Sequence, residues 1–293
     1  MHDRYVALRS VIETPIMDER KWAKVPAIPA DGFMVDMEDS VPPPLKAAAR
    51  RRVVDYLQRP DYFDGRLMIA RPNHLSTEWG RDDVAALADA GATCIAYPKC
   101  DSAEDVLEVQ EMFRSRGADP DIFAAIETAR GLLHLSEIAA IDKVVSLGIG
   151  VGDLSADMGV PLFAPDGELN PVFEVAKAQV AIAGAAYGCV RGDMAHVPDV
   201  RDLDDVRRRY QHSHGLGFTM GYAFYPPHVP IINEVFGPTT DDIADADHVI
   251  ALYERAVADG RPAVTLESGR TILVHDYQKA LKVRARAAAV AAS

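Results

Sequence analysis

Cysteines are few in this 293-residue sequence, and long apolar runs are missing from it. The three cysteines, Cys94, Cys100 and Cys189, form no Cys-x-x-Cys pair and cannot build a disulfide framework. No apolar run approaches the roughly 18 residues of a membrane-spanning helix, and the N-terminus opens on polar residues without a targeting signal. We therefore expect a soluble, cytoplasmic protein with no membrane partner.

Basic residues are also in deficit. The sequence holds 31 Lys and Arg against 44 Asp and Glu, which gives a net charge of −13. Such an acidic surface repels phosphodiester backbones, so we expect no nucleic-acid partner. The composition, 48% hydrophobic and 26% charged, is typical of soluble globular domains and argues against disordered or fibrous structure.

Short apolar segments alternate with longer segments of helical character. The predicted strands are Tyr5–Ile12, Gly32–Met37, Arg66–Arg71, Cys94–Pro98, Ile122–Ile126, Val144–Ile149, Ala185–Val190 and Phe218–Phe224. The predicted helices between them are Leu45–Leu57, Ala85–Ala90, Ala103–Arg116, Thr128–Ala140, Pro171–Ala186 and Asp202–His212. Eight strand-then-helix units in about 250 residues predict an α/β fold of the (β/α)₈ TIM-barrel type. An open doubly wound sheet is the alternative.

The chain continues beyond the eighth predicted strand. Asp241–Ala258 is predicted to be a helix, Leu266–Val274 a short hairpin or lid, and Gln278–Ala292 a final helix. We therefore assign residues 1–240 to the barrel and residues 241–293 to a C-terminal helical or lid extension of the same domain.

Polar residues follow the ends of the predicted strands, where catalytic groups of a TIM barrel gather. Glu127 and Asp153 end consecutive strands, which lie about 4.8 Å apart in a barrel, so their carboxylates can share one Mg²⁺. Solvated rim acids or helix caps are the alternative interpretation. Arg71 ends the third strand and can bind a substrate carboxylate through its guanidinium, or form a salt bridge to Asp36, Glu38 or Asp39.

Two further features have competing interpretations. Lys99 is a candidate Schiff-base nucleophile, but the surrounding carboxylates favour a protonated lysine in an ion pair. The Gly148–Asp153 segment imitates a dinucleotide loop, yet Asp153 takes the place of the third glycine and would repel a pyrophosphate. Its glycines instead let the backbone pass close to a ligand.

These residues occur within a longer pattern that resembles the citrate lyase β-subunit-like branch of the HpcH/HpaI aldolase family, which includes malyl-CoA and citramalyl-CoA lyases. The matching stretches are Arg9-Ser10 with Pro15, Asp36–Val41 with Lys46 and Arg50, Arg71-Pro72-Asn73, Tyr97-Pro98-Lys99, Ile126–Gly131, Gly150–Ser155, Asn233 and Phe236-Gly237-Pro238. The resemblance covers roughly residues 5–240.

The resemblance implies a TIM barrel, usually a trimer or built from trimers, that makes or breaks a carbon–carbon bond with Mg²⁺, or with Mn²⁺ as the alternative ion. It implies that Glu127 and Asp153 hold the metal and that Arg71 binds the carboxylate of a 2-oxo acid. We assign Arg9, Arg71, Gly152 and Asp153 to substrate binding, and Arg71, Glu38 and Asp39 to catalysis.

The implied reaction is the cleavage or formation of a small hydroxy acid, or of its CoA thioester, through an enolate and a 2-oxo acid. The sequence departs from the family at Leu273, where CoA-thioester lyases carry an acid/base aspartate; His275 or Asp276 is the possible substitute. Two other functions therefore stay open. One is a condensing enzyme of the malate-synthase kind, and the other is a catalytically silent acyl-CoA-binding or assembly barrel.

Overall fold

Eight parallel strands close into a barrel in the computed structural model, which describes residues 3–292. Each strand pairs with the next along the chain, and the first pairs with the eighth, so the open sheet is excluded and the predicted TIM barrel is confirmed. The strands are β1 (Ser10–Pro15), β2 (Gly32–Asp36), β3 (Leu67–Arg71), β4 (Cys94–Tyr97), β5 (Asp121–Ile126), β6 (Val144–Ile149), β7 (Val190–Met194) and β8 (Met220–Ala223).

Helices surround the barrel and continue into the C-terminal extension. They are α1 (Glu19–Trp22), α2 (Lys46–Leu57), α3 (Gly80–Asp89), α4 (Ala103–Arg114), α5 (Ala129–Leu133), α6 (Leu135–Ala139), α7 (Val151–Met158), α8 (Pro171–Ala186), α9 (Leu203–Leu216), α10 (Val229–Phe236), α11 (Thr240–Ala258) and α12 (Val274–Ala292). Short 3₁₀ helices lie at Asp3–Tyr5, Val25–Ala27, Pro43–Leu45, Pro60–Phe63 and Pro226–His228. Within the described chain, no helix combines the length and apolar character needed to cross a membrane.

The strands are apolar on consecutive positions because both of their faces are buried. In β2, Phe33 and Val35 belong to the core between the strands and the helices, whereas Met34 belongs to a second core inside the barrel. Phe123 and Met220, from β5 and β8, fill the same interior. The inner core closes the barrel lumen, so a ligand site has to lie at a rim.

Two strands, β1 and β7, begin five residues later than their predicted positions. The first was predicted at Tyr5–Ile12, but β1 runs to Pro15, and the Tyr5 hydroxyl donates a hydrogen bond to Asp121 from a 3₁₀ helix. The seventh was predicted at Ala185–Val190, but β7 runs from Val190 to Met194. The alanine-rich segment before β7 belongs to α8, because alanine has a high helix propensity. Arg191 and Asp193 interrupt the apolar pattern of β7, so the pattern did not predict this strand at its observed position.

The C-terminal extension consists of α11, α12 and a two-stranded hairpin, β9 (Val264–Thr265) with β10 (Thr271–Ile272). A capping box between Thr239 and Asp242 starts α11. Arg286 lies near the C-terminal end of α12 and anchors this helix by donating hydrogen bonds to the carbonyls of Leu8, Thr219 and Phe236. Leu8 and Thr219 precede β1 and β8, so α12 docks at the amino end of the barrel.

Candidate active site

A cavity of about 170 Å³ opens at the carboxyl ends of the barrel strands. We call it the central cavity; the lining residues used below are Glu13, Asp39, Arg71, Glu127, Gly150, Gly152, Asp153, His196, Tyr222 and Phe224. Its floor is apolar and includes Met34, Phe123 and the ring of Tyr222. Gly192 leaves room for that ring, because a Cβ atom there would lie 2.2 Å from it, and a Cβ atom on Gly148 would make a tight contact of 3.0 Å with it. Charged groups therefore lie above an apolar floor.

Arg71, the last residue of β3, is nearly buried beneath the rim. Its Nε donates a hydrogen bond of 2.7 Å to Asp36, and its terminal nitrogens lie 3.5 Å from Glu13 and 3.9 Å from Asp39. Burial lowers the pKa of Arg71, but the charges of Glu13 and Asp36 outweigh burial and raise it, so the guanidinium stays charged. Within residues 3–292, its one side-chain hydrogen bond uses Nε, which leaves Nη1 and Nη2 available to an anion in the cavity.

Asp36 positions Arg71 and the loop that follows β2. Its carboxylate accepts hydrogen bonds from the backbone N–H groups of Glu38 and Ser40 as well as from Arg71. Burial raises the pKa of this carboxyl, but the Arg71 charge and the hydrogen bonds prevail and lower it to about 2. Asp36 is therefore negatively charged at neutral pH. Arg71 forms the predicted salt bridge to Asp36, and it also lines the central cavity.

Lys99 lies among the carboxylates of the rim. Its Nζ is 2.5 Å from Glu38, 3.6 Å from Asp153, 3.7 Å from Glu127 and 4.0 Å from Asp39. Burial lowers the pKa of Lys99, but the hydrogen bond to Glu38 and the neighbouring negative charges raise it above its usual value. The ion-pair interpretation of Lys99 is thereby confirmed, since a permanently protonated amine is a poor nucleophile.

Glu127 follows β5 and is only 7% exposed. Burial, helped by the negative charge of Glu38, raises the pKa of this carboxyl to about 7, although Lys99 counteracts the rise. A Cβ atom on Gly150 would lie 2.6 Å from Glu127 Cγ, so any larger residue here has to displace the Glu127 side chain. Asp153 lies in the first turn of α7 with a side chain that is about half exposed. A buried carboxylate and an accessible one thus meet at the same edge of the cavity.

The donor set of Glu127 and Asp153 fits Mg²⁺. Both side chains offer hard oxygens, and an ammonium group already lies within 3.7 Å of each, which marks a point that favours positive charge. Among the described residues, no three His, Cys, Asp or Glu side chains are grouped to hold a metal ion by themselves. Mg²⁺ does not require this, because it typically binds one or two carboxylates and completes its octahedron with water and substrate oxygens.

Arg9 is the predicted site residue that the structure does not bring to the cavity, and its assignment to substrate binding is corrected. It precedes β1, at the amino end of the barrel, and its Nε and Nη2 donate to Asp31 at 2.9 and 2.8 Å. The other predicted residues all lie at the opposite rim. Arg71, Gly152, Asp153, Glu127 and Asp39 line the cavity, and Glu38 contacts both Lys99 and Arg71.

Sequence reasoning missed Glu13 and His196. Glu13 lies in β1, two residues after inward-facing Val11, and a correct first strand would have placed it inside the rim. Burial raises the pKa of Glu13, while the Arg71 charge opposes the rise. His196 follows β7 and was missed because that strand was predicted too early.

The C-terminal extension does not cover the central cavity of its own chain. No described residue after 240 lines the cavity. Asp276 accepts a hydrogen bond from the Leu273 N–H at the start of α12, so it caps that helix. Neither His275 nor Asp276 reaches this cavity; the predicted hairpin is present as β9 and β10, and its role as a lid stays a prediction.

The barrel is a closed (β/α)₈ barrel, and a charged arginine and paired carboxylates lie at the carboxyl rim, where TIM-barrel enzymes carry their active sites. The HpcH/HpaI aldolase/citrate lyase family model matches residues 14–226, and the chain belongs to this family. Citrate lyase β subunits of Escherichia coli and Leuconostoc mesenteroides are among its relatives, and the chain is an enzyme of this carbon–carbon lyase family.

Curated relatives and solved structures cover most of the chain. A (3S)-malyl-CoA thioesterase of Cereibacter sphaeroides is 32% identical over 284 residues, which are 97% of this chain and 96% of that protein. A citrate lyase subunit beta-like protein of Mycobacterium tuberculosis is 29% identical and covers 79% of this chain and 80% of its own. CitE from M. tuberculosis, in complex with magnesium, acetoacetate and coenzyme A, has a TM-score of 0.80 at 26% identity and covers 96% of this chain and 98% of its own. The citrate lyase beta subunit of the same organism, with oxaloacetate and magnesium, has a TM-score of 0.70 at 28% identity over 81% of this chain and all of that one.

Proposed function

We propose that the chain is a Mg²⁺-dependent lyase that cleaves, or in reverse forms, the carbon–carbon bond of a small hydroxy acid carried as its CoA thioester. The products of cleavage are a 2-oxo acid and the enolate of an acyl fragment. The observation that carries the proposal is the meeting of Arg71 with the Glu127–Asp153 pair in one cavity. An arginine and a bound cation together recognise the carboxylate and the adjacent oxygen of a 2-oxo acid.

Each charged residue then has a defined task. Arg71 binds the substrate carboxylate, and Glu13 and Asp36 keep its guanidinium charged and oriented. Glu127 and Asp153 would hold the divalent ion, whose chemistry is to draw electron density from a carbonyl oxygen. Glu38 and Asp39 orient Lys99 and a water or donor at the rim, while the apolar floor limits water at the reacting carbon. Positioning by Arg71 supplies the entropic part of the rate enhancement.

The related structures support this choice of ligands. CitE complexes of M. tuberculosis contain magnesium with pyruvate or with acetoacetate, and one of them also contains coenzyme A. The proposal transfers a 2-oxo acid, Mg²⁺ and a CoA thioester to this chain, with Mn²⁺ as the alternative ion. It also includes assembly into a homo-oligomer, a trimer or a multiple of trimers, which light scattering of the purified protein tests.

Hydrolysis of the same thioester is the second candidate function. It is favoured by the four C. sphaeroides proteins named (3S)-malyl-CoA thioesterase, which are 30–32% identical over 97% of this chain. Both reactions use a thioester of a hydroxy acid, so they differ in the bond that breaks and not in the molecule that binds.

The experiment is a product analysis with (3S)-malyl-CoA and Mg²⁺. Cleavage of the carbon–carbon bond yields glyoxylate and acetyl-CoA, whereas hydrolysis yields malate and free CoA. We expect the first pair of products, their loss on chelation of the metal, and their loss in Glu127→Gln and Asp153→Asn. Malate and free CoA alone would replace the lyase by the thioesterase. Absence of all four products, with citramalyl-CoA as a second substrate also unreactive, would contradict both candidate functions.

A further inference from the structure

His196 follows β7 and brings an imidazole to the central cavity, and the proposed function gives it no task. Its Nδ1 lies 3.0 Å from the Met194 carbonyl oxygen. Because a carbonyl oxygen only accepts hydrogen bonds, Nδ1 carries the hydrogen. The second nitrogen, Nε2, is then the one with a free electron pair in the neutral ring.

Nε2 points toward the turn that carries Gly152 and Asp153. A Cβ atom built on Gly152 would lie 3.5 Å from Nε2, and outside its own helix it would meet no other described atom within 4 Å. Glycine at this position therefore leaves the imidazole nitrogen uncovered. In the described part of the chain, the Met194 contact is the one hydrogen bond of the His196 ring, so Nε2 is available to a molecule in the cavity.

The surroundings of His196 keep the ring neutral. Burial lowers its pKa, and the positive charges of Lys177 and Arg209 lower it further. Asp193 opposes this shift, but its carboxylate is itself neutralised by Lys177 at 2.7 Å, and it accepts a hydrogen bond from Ser213. These cations line a second cavity, which His196 shares and which also contains His212.

Several other charged groups of the central cavity already have ion-pair partners or a proposed task. Lys99 is held protonated by carboxylates, and Arg71 is charged. Glu127 and Asp153 are the proposed metal ligands. Glu13 remains as a competing base, because burial raises the pKa of its carboxyl although the Arg71 guanidinium lies 3.5 Å away, and a Glu13→Gln variant therefore belongs to the test.

We propose that His196 is the proton-transfer residue of this site, a proposal that rests on the lyase function given above. In cleavage, Nε2 accepts the proton of the substrate hydroxyl while that oxygen forms the carbonyl of the 2-oxo acid. The carbon–carbon bond breaks, and its electron pair remains on the acyl fragment as the enolate. The imidazolium then returns the proton to the enolate carbon, which regenerates neutral His196 and leaves no net change in charge on the enzyme.

The test is hydrogen–deuterium exchange at the methyl group of acetyl-CoA in D₂O with Mg²⁺, followed by NMR. His196→Gln keeps a polar side chain but cannot shuttle a proton, so we expect exchange and malyl-CoA cleavage to fall at least about 100-fold. Mg²⁺ and glyoxylate binding, measured by calorimetry, should stay within about twofold of the wild type. His212→Gln is the matched control, because His212 lies in the second cavity, paired with Glu174, and should retain exchange.

A second variant covers the case in which His196→Gln folds poorly. In His196→Ala, added imidazole should restore part of the exchange if a missing proton carrier is the defect. Exchange that persists in both variants overturns the proposal, and its loss in Glu13→Gln instead would assign the base to Glu13. Loss of Mg²⁺ and glyoxylate binding together with exchange, without rescue by imidazole, also overturns it in favour of a structural role. If wild-type protein shows neither exchange nor cleavage, the lyase function itself fails.

Discussion

Lys99 shows how strongly a single residue depends on its position in the fold. Its backbone adopts a φ of 50°, in the left-handed region that costs a non-glycine residue about 1 kcal/mol or more. The same conformation lets its N–H donate to Glu127 while its ammonium reaches Glu38. The energetic cost of this backbone conformation is offset by the ion pairs of the Lys99 ammonium group with four carboxylates.

Replacement of that cation should change metal affinity in a defined direction. Two unit charges about 4 Å apart interact by about 4 kcal/mol at an effective dielectric of ~20, so the Lys99 ammonium opposes a second cation at Glu127 and Asp153. We expect Lys99→Met to bind Mg²⁺ about tenfold or more tightly than the wild type. Calorimetry at pH 9 is the measurement, because burial raises the pKa of Glu127 to about 7 and loss of the Lys99 charge, which opposes that rise, moves it higher in the variant.

Lys99→Arg is the control for this prediction. It keeps the positive charge and should leave Mg²⁺ affinity within about threefold of the wild type. Unchanged or weaker binding in Lys99→Met would mean that the ammonium does not compete with the ion, and that the carboxylates depend on Lys99 for their arrangement.

At the scale of the elements, strand ends decide which residues reach the cavity. The ends of β3, β5 and β6 could be predicted from their apolar runs, and these strands deliver Arg71, Glu127 and Asp153 to one rim. The ends of β1 and β7 could not, because Glu13 and Asp193 interrupt the apolar pattern that marks a strand. Glu13 and Asp193 form ion pairs with Arg71 and Lys177 inside the barrel. A prediction based on hydrophobicity therefore fails at the charged strand positions that lie in or next to the site.

The turn between β6 and α7 packs against the Glu127 side chain, and a substitution in this turn tests whether that packing positions Glu127. A Cβ atom on Gly150 would lie 2.6 Å from Glu127 Cγ, so Gly150→Ala has to displace the Glu127 side chain. Such overpacking costs about 1–3 kcal/mol, and here it displaces a side chain that we propose as a metal ligand. We expect Mg²⁺ affinity by calorimetry to drop about tenfold or more.

Gly215→Ala in α9 is the matched control, since a Cβ atom there meets open space. It should leave Mg²⁺ affinity unchanged and stabilise the helix by about 0.5–1 kcal/mol. If Gly150→Ala binds Mg²⁺ as tightly as the wild type, the position of Glu127 does not limit the metal site.

For the molecule as a whole, barrel and extension differ in how far the sequence predicts them. Regular alternation of apolar and helical segments was enough to predict the barrel, and the two tail helices were predicted close to their observed bounds. The docking of α12 was not predictable, because Arg286 binds carbonyl oxygens from residues as distant as Leu8. Such contacts follow no local pattern; they exist only after the barrel has closed.

Arg286 should therefore control the attachment of the extension and leave the barrel intact. Its side chain donates to the carbonyls of Leu8, Thr219 and Phe236, and removal of such a group leaves partly buried acceptors without partners, at a cost of about 1–3 kcal/mol. In Arg286→Ala we expect faster hydrogen–deuterium exchange along α11 and α12, measured by mass spectrometry, with β1–β8 unchanged.

Arg284→Ala is the control, because Arg284 forms an exposed pair with Asp247, and exposed pairs contribute about 0–1 kcal/mol. Equal exchange in the two variants would show that packing between α11 and α12, and not Arg286, holds the extension. Exchange that also rises in β1 and β8 would instead make Arg286 part of the barrel's closure.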